Sequence, residues 1–189
     1  ESHKAFDGIT MAIRQYDIDL VVMGSSGATG IKEMFIGSNT EKVVRTADAP
    51  VLVIKNHIEN FDVNNFVFAS DFTDDQKLVF EQAVDFANNF NAKLHLLFVN
   101  TPNRFVTTAA AEKKMLDFVA SYNEIGEHET HIYNDDTIEH GILNFSRAID
   151  ADLIGMSTHG RQGISHFFNG SISEDLVNHA KRPVITFKI

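Results

Sequence analysis

An internal repeat constrains this chain more than any other feature of its sequence. Residues 8–55 align without a gap to residues 141–188, at a constant offset of 133, and 19 of the 48 paired positions are identical. A repeat of that length has the size of a domain rather than of a solenoid unit. Because Glu1 aligns with Asn134, we expect the first copy to lack its first half and residue 1 not to be the biological N-terminus. The repeat therefore predicts a C-terminal half-domain over residues 1–57 and a complete domain over residues 62–189.

Short apolar runs alternate along the chain with segments of helical periodicity. The runs lie at residues 20–23, 51–54, 66–69, 94–99, 132–133, 153–156 and 184–187. Several are apolar on successive residues, which is typical of parallel strands that are buried on both faces. The segments between them predict helices near residues 5–16, 79–90, 110–122 and 138–149. This alternation predicts an α/β fold with a parallel sheet and right-handed crossovers.

Composition excludes several classes of function. The chain has 189 residues, a formal net charge of -10 and a hydrophobic fraction of 43%. An acidic balance argues against a nucleic-acid partner and against an anionic membrane surface. No apolar run approaches the 18 or so residues of a membrane span. The absence of cysteine rules out disulfides and thiolate catalysis and fits a reducing compartment, so we expect a cytoplasmic protein.

In each copy, the glycine-rich segment that follows the apolar run at residues 20–23 or 153–156 is the richest candidate for a ligand-binding site. In the second copy it leads from Gly160 to Gly170-Ser171, where a helix is expected to begin. Glycine lets backbone approach a ligand, and the start of a helix offers free N–H groups to a phosphate. However, Ser38-x-x-Glu41 and Ser171-x-x-Glu174 are also capping-box patterns, which need no ligand. The residues alone favour phosphate binding and a purely structural role in turns and helix caps about equally. The Rossmann, Walker and hydrolase-elbow motifs are all absent.

The first copy nevertheless resembles a known family. Its pattern Gly24-x2-Gly27-x9-Gly37-Ser38 is similar to the signature of universal stress proteins, and the following helix and Ala49-Pro-Val-Leu-Val-Ile strand resemble that family as well. The resemblance covers the whole chain. It implies an α/β fold with an open parallel five-stranded sheet of order 3-2-1-4-5 and helices on both faces, with the C-terminal half of a second copy packed alongside. In many members it also implies ATP binding, with or without Mg²⁺.

The resemblance assigns site residues to the second copy. It implies that Asp71 holds the adenosine end, that Val99 lies beside adenine, and that Met156 and Ser157 lie under the ribose and phosphates. Ser157 departs from the glycine of the signature. The full set of implied cofactor-binding residues is Ala69, Ser70, Asp71, Val99, Met156, Ser157, Gly160, Gly170, Ser171, Ile172 and Ser173. The matching first-copy motif is Gly24, Gly27, Gly37 and Ser38.

Two alternative interpretations apply to individual residues. Thr73-x-x-Gln76 is a capping-box pattern, so Asp71 could belong to the start of a helix rather than to a ligand site. His128, His131 and His140 suggest a metal, but positions three apart on a strand lie on opposite faces, so we expect no metal site.

These observations predict a stress-response regulatory protein that binds ATP in its second domain. No general base or nucleophile is evident, so efficient catalysis is not expected. The alternatives are a nucleotide-free universal stress protein acting as a dimeric scaffold and, less favoured, an enzyme of a related α/β nucleotide fold. We also expect strands 51–54 and 184–187 to pair through their edges, either within the chain or in a homo-oligomer.

Overall fold

A computed structural model of the chain describes residues 2–24, 37–122, 124–158 and 171–189, without the side chains of residues 2–4 and 171–174. The helices in these ranges are α1 (Ser2–Gln15), α2 (Ser38–Thr46), α3 (Lys77–Phe90), α4 (Thr108–Val119), α5 (Ile138–Ala148) and α6 (Ser171–His179). The strands are β1 (Val21–Gly24), β2 (Val51–Ile54), β3 (Asn65–Ala69), β4 (Lys93–Asn100), β5 (His128–Asn134), β6 (Leu153–Thr158) and β7 (Val184–Lys188). Two short 3-10 helices lie at Asp74–Gln76 and Pro102–Arg104.

Neighbouring strands follow the order β1-β2-β7 in one set and β6-β3-β4-β5 in the other. β3 pairs in parallel with both β4 and β6, β4 pairs in parallel with β5, and β1 pairs in parallel with β2. The β2–β7 ladder is antiparallel, with Val51 opposite Thr186. The prediction of an α/β fold with a mostly parallel sheet is therefore confirmed, and the pairing expected between segments 51–54 and 184–187 is present.

The chain divides into two compact units. One comprises Glu1–Glu59 with Ser157–Ile189, and the other comprises Asn60–Met156. The boundaries that the repeat suggests, 1–57 and 62–189, concern sequence similarity between the copies and stay a prediction. No helix in the described ranges is long and apolar enough to cross a lipid bilayer.

In the first unit the antiparallel β2–β7 pair forms the buried centre. Every residue from Val51 to Val53 and from Val184 to Phe187 is buried. At the periphery, the Asp48 carboxylate receives Lys188 Nζ at 2.6 Å and Arg14 Nε at 3.0 Å. The hydrogen bond from Lys188, followed by that from Arg14, lowers the pKa of Asp48. Two ion pairs to Asp48 therefore lie at the edge of the apolar β2–β7 pair.

In the second unit the inner strands are covered on both faces. On one face, the Phe68 ring lies 5.7 Å from the Phe80 ring of α3, and Phe80 lies 5.1 Å from Phe118 of α4. On the other face, Val99 of β4 packs so closely on Gly141 of α5 that a Cβ on that glycine would lie 2.4 Å from Val99 Cγ1. This double burial explains why β3 and β4 are apolar on successive residues instead of alternating.

Candidate functional site

The carboxyl ends of β3, β4 and β6 define the candidate site. Ala69, the last residue of β3, lies between Leu97 of β4 and Met156 of β6 in register. β3 lies between β4, which follows it in the chain, and β6, which comes much later, so the strand order reverses direction at β3. The carboxyl ends of strands at such a switch point are where open α/β sheets bind ligands.

The segment that follows β3 places a buried carboxylate at this edge. Asp71 is only 7% exposed, and Thr73 Oγ1 donates a hydrogen bond of 2.8 Å to its Oδ1. Ser70 stabilises the turn, because its Oγ accepts the backbone N–H of Phe72 at 3.0 Å. Phe72 has a φ of 53°, a left-handed value that a bulky residue adopts only when its surroundings hold it there. The sequence prediction that Ser70 and Asp71 lie at the end of a strand is therefore consistent with the structure.

The capping-box interpretation of this segment is wrong. Thr73 precedes the 3-10 helix Asp74–Gln76 but makes no side-chain cap hydrogen bond; its hydroxyl lies against the Asp71 and Asp75 carboxylates instead. The Gln76 side chain is fully buried, and within the described residues neither of its amide atoms has a hydrogen-bond partner. Thr73 thus serves to orient the Asp71 carboxylate, and the four residues do not form a reciprocal cap.

The same interpretation also fails for Ser38-x-x-Glu41. The N-cap of α2 is Gly37, which makes no side-chain cap hydrogen bond, and Ser38 is already the first helical residue. Glu41 instead pairs with Arg45 at 3.0 Å, one turn along the helix. The pattern is displaced by one position from the one that a capping box requires.

Val99 lies at the end of β4, and its side chain is buried against other residues of the protein. It is 4% exposed and packs against Gly141 of α5. Any contact that Val99 makes with a ligand would therefore involve its backbone, at the exit from the strand, more than its methyl groups.

Asn100 follows Val99 and is buried, and it was not predicted as a site residue. Its Nδ2 donates to the Val106 carbonyl at 3.0 Å and to Asn134 Oδ1 at 3.1 Å, and its Oδ1 accepts the Val106 N–H at 2.9 Å. These bonds tie the loop after β4 to the strand ends beside the candidate site. The only sequence signal was a polar residue that ends a long apolar run.

Met156 and Ser157 lie near the end of β6, and both are fully buried. Among the residues that the structure describes, Ser157 Oγ has no hydrogen-bond partner. An unpaired buried hydroxyl is costly.

The predicted phosphate-binding part of the site falls largely outside the described residues. Gly160 and Gly170 are among those outside, as is Gly27 of the first copy. Ser171, Ile172 and Ser173 form the first turn of α6, where free backbone N–H groups are expected. In the first copy Gly24 ends β1, and its carbonyl accepts the Thr40 hydroxyl at 3.1 Å.

These strand ends define a class of protein: an α/β domain with a mostly parallel sheet and a ligand crevice at the carboxyl edge. A model described as the universal stress protein family matches residues 1–55 and 63–188. The chain belongs to the universal stress protein family.

Individual relatives agree with this assignment. Universal stress protein Slr1230 of Synechocystis is 22% identical over 176 residues, which make up 91% of this chain and 58% of that protein. The crystal structure of a universal stress protein from Archaeoglobus fulgidus covers 97% of this chain at 26% identity, with a TM-score of 0.69, and 64% of that chain is matched. A universal stress protein solved in complex with cAMP matches 68% of this chain and 97% of its own, at 17% identity and a TM-score of 0.52. The chain thus spans about three fifths of the length of the first two relatives.

Proposed function

We propose that this chain is a stress-response regulatory protein that binds an adenine nucleotide, ATP, at the carboxyl ends of β3, β4 and β6. Asp71 carries the proposal. A buried carboxylate is expensive unless donors surround it, and within the described residues Asp71 receives one hydrogen bond, from Thr73. A nucleoside brings hydroxyl and amine donors that would complete the set.

The fit to a nucleotide extends along the neighbouring strand ends. Ala69 and Met156 are adjacent in register and small or flexible, which suits the floor of a crevice. The sequence resemblance to the family assigns the phosphates to Gly160, Gly170 and Ser171–Ser173, of which the two glycines lie outside the described residues. A relative solved with cAMP adds support for an adenine nucleotide as the ligand class.

The chain would act as a binding protein and not as an efficient catalyst. Asp71 would hold the nucleoside end, far from a bond to a terminal phosphate, and no paired base and nucleophile lie near it among the described residues. Where Mg²⁺ accompanies ATP, it would neutralise phosphate charge. The protein's own contribution would be to bind and orient the nucleotide, so that occupancy reports the cellular nucleotide supply.

A calorimetric titration with ATP tests the proposal. Asp71→Asn should weaken binding at least tenfold, because a charge-assisted hydrogen bond contributes about 1.5–3 kcal/mol. Asp85→Asn is the matched control, since Asp85 is exposed on α3 and the substitution makes the same charge change. Its affinity should stay within about twofold of the wild type. Absence of binding at millimolar ATP, or equal losses in both variants, would refute the proposal.

A nucleotide-free scaffold is the second candidate, and the complete burial of Ser157 favours it. A side chain that is wholly enclosed does not present its hydroxyl to a ligand, and its Cβ occupies space that glycine would leave open. Under this alternative the wild type does not bind ATP and Ser157→Gly gains affinity. Under the main proposal Ser157→Gly changes an affinity that already exists.

A further inference from the structure

A cluster of metal-binding side chains lies on the face of β4 and β5 that α5 covers. His95 of β4 is directly opposite Glu129 of β5, and His131 follows Glu129 by two residues on the same face. His95 Nδ1 and His131 Nε2 are 3.0 Å apart, and Glu129 Oε2 is 3.7 Å from His131 Nε2. One potential ligand atom from each of the three residues lies within 4.8 Å of the others. Two imidazoles and a carboxylate therefore converge on one point.

The nitrogen separation suits a single ion. Two nitrogen ligands at about 2.0–2.1 Å from a metal subtend roughly 91–97° when they are 3.0 Å apart. That angle is close to the right angle of octahedral coordination, and a small increase in the nitrogen separation would reach the tetrahedral value. Because the two nitrogens face each other in the metal-free hydrogen bond, both rings would also turn to aim their lone pairs at the ion. Glu129 is half exposed, so its carboxylate is free to rotate into a third position.

The neighbours of the histidines orient them as metal ligands. Asn65 Oδ1 lies 3.1 Å from His95 Nε2, and an amide oxygen can only accept, so the hydrogen resides on Nε2. His95 Nδ1 therefore directs its lone pair at His131, whose Nε2–H donates to it in the metal-free protein. To bind a metal through Nε2 as a neutral imidazole, His131 would take the tautomer that carries its hydrogen on Nδ1. Ligating histidines commonly donate their other ring N–H to a fixed acceptor, as His95 does to Asn65.

The surroundings hold both rings in place. The His95 and His131 rings lie edge to edge, with centroids 5.2 Å apart and planes 27° from parallel, and Phe145 of α5 packs on His131 with ring centroids 4.7 Å apart. Burial lowers the pKa of each histidine. Neutral imidazole is the form that binds a metal.

We propose that His95, His131 and Glu129 form a site for a divalent transition-metal ion of the imidazole-preferring group, such as Zn²⁺, with water completing its coordination. This replaces the expectation of no metal, which considered His128, His131 and His140 only. His128 and His140 do not belong to the cluster; His128 lies on the opposite face of β5, as its spacing predicts.

Lys93 is a cationic group that faces the site, and it would lose its contact with Glu129 when a metal binds. Its Nζ lies 2.6 Å from Glu129 Oε1 and 3.6 Å from Glu127 Oε1. Glu127 can retain the lysine when Glu129 turns to the metal. The cluster also lies apart from the nucleotide edge, because His95 precedes Val99 by four residues, about 13 Å along an extended strand. The ion would join β5, the last strand in the order, to β4.

Titration of the full chain with Zn²⁺ in a non-chelating buffer tests the site. We expect one ion per chain, and His131→Gln and Glu129→Gln should each weaken binding at least tenfold. Asn65→Ala, which removes only the orienting acceptor, should cost about 10–100-fold with the stoichiometry unchanged. His128→Gln on the same strand is the matched control and should bind as the wild type does.

A second readout separates coordination from general damage to the fold. Co²⁺ should give a ligand-field spectrum in the wild type and in His128→Gln that His131→Gln abolishes, while far-UV circular dichroism stays unchanged. Glu129→Gln alters an exposed side chain, so it keeps the test valid if a histidine variant does not fold. Failure of the wild type to bind Zn²⁺ at millimolar concentration, or equal losses in His128→Gln and His131→Gln, would overturn the proposal. Asp71→Asn should leave Zn²⁺ binding intact, which separates this result from that of the nucleotide proposal.

Discussion

Gly8 and Gly141 occupy equivalent positions in the repeat, yet alanine should have opposite effects at the two sites. Gly8 lies within α1, and a Cβ added there would meet no atom within 4 Å. Gly141 lies within α5, and a Cβ there would lie 2.4 Å from Val99 Cγ1, 3.1 Å from Val99 Cγ2 and 3.3 Å from Asp135 Cβ. The sequences of the two helices around the glycine do not reveal this difference.

The structure sets the expected magnitudes. Replacing a helical glycine by alanine stabilises by about 1 kcal/mol where space is free, so Gly8→Ala should raise the free energy of unfolding by up to about that amount. At Gly141 the same gain is opposed by overpacking. Carbon atoms prefer about 3.5–4.0 Å, so the new methyl group must be displaced from Val99 by about 1 Å or more. Val99 is a stiff β-branched residue in a buried strand, which puts the strain at about 2–3 kcal/mol and the net loss at about 1–2 kcal/mol.

Urea unfolding followed by far-UV circular dichroism measures both changes, since the chain has no tryptophan. A double variant sharpens the test. Val99→Ala alone leaves a cavity, and Gly141→Ala in the same chain fills part of it. The two substitutions should therefore be coupled favourably by at least about 1 kcal/mol. If Gly141→Ala stabilises the protein as much as Gly8→Ala does, the close approach of α5 to β4 is not real and the reasoning is wrong.

Two further substitutions test polar contacts, one beside the β2–β7 pair and one at the end of β4. Asp48→Asn should lower the free energy of unfolding at pH 7 by up to about 1 kcal/mol, because its bonds to Lys188 and Arg14 are partly exposed. The lowered pKa of Asp48 means that this stability is present above the ordinary value of 3.8 and is lost as the pH falls through the folded-state pKa, so urea midpoints of variant and wild type should converge in acid. Asn100→Ala removes three hydrogen bonds, two of them to the Val106 backbone, and should cost about 2–3 kcal/mol. Limited proteolysis should then cleave the loop after β4 faster than in the wild type; an unchanged rate would contradict the anchoring role.

Hydropathy located the strands well where both faces are buried and poorly where one is not. β3 and β6 begin and end within two residues of the apolar runs that predicted them. β5 spans His128–Asn134, yet only Ile132 and Tyr133 were recognised. The strand is exposed or half-exposed throughout, so it needs no apolar run, and its register comes from pairing with β4. Such pairing is a tertiary effect that a local pattern does not contain.

The candidate site was predictable as a position in the fold and much less so as a set of contacts. Strand alternation alone places Asp71 after a buried strand, at the edge where α/β sheets bind ligands. It could not show that Thr73 orients Asp71 instead of capping a helix, because both roles use the same hydroxyl. Nor could it show that Val99 is turned towards α5, since that depends on a glycine 42 positions later in the sequence.

β5 was not recognised as a strand from the sequence because it begins with polar residues. Two of these, Glu129 and His131, belong to the proposed metal site. On an inner strand, Glu129 and His131 would bury polar groups at a cost that the fold could not easily offset. On the last strand of the order they stay partly exposed, and the unpaired edge beside them benefits from polar side chains that discourage association with other chains. Only His95, on the inner neighbour β4, is buried, and it is the one whose second nitrogen is satisfied by Asn65. The one buried histidine of the cluster is thus also the one whose second ring nitrogen has a hydrogen-bond partner. Asn65 satisfies the buried N–H of His95 and, in the same contact, fixes the tautomer and the ring orientation that leave Nδ1 available to an ion.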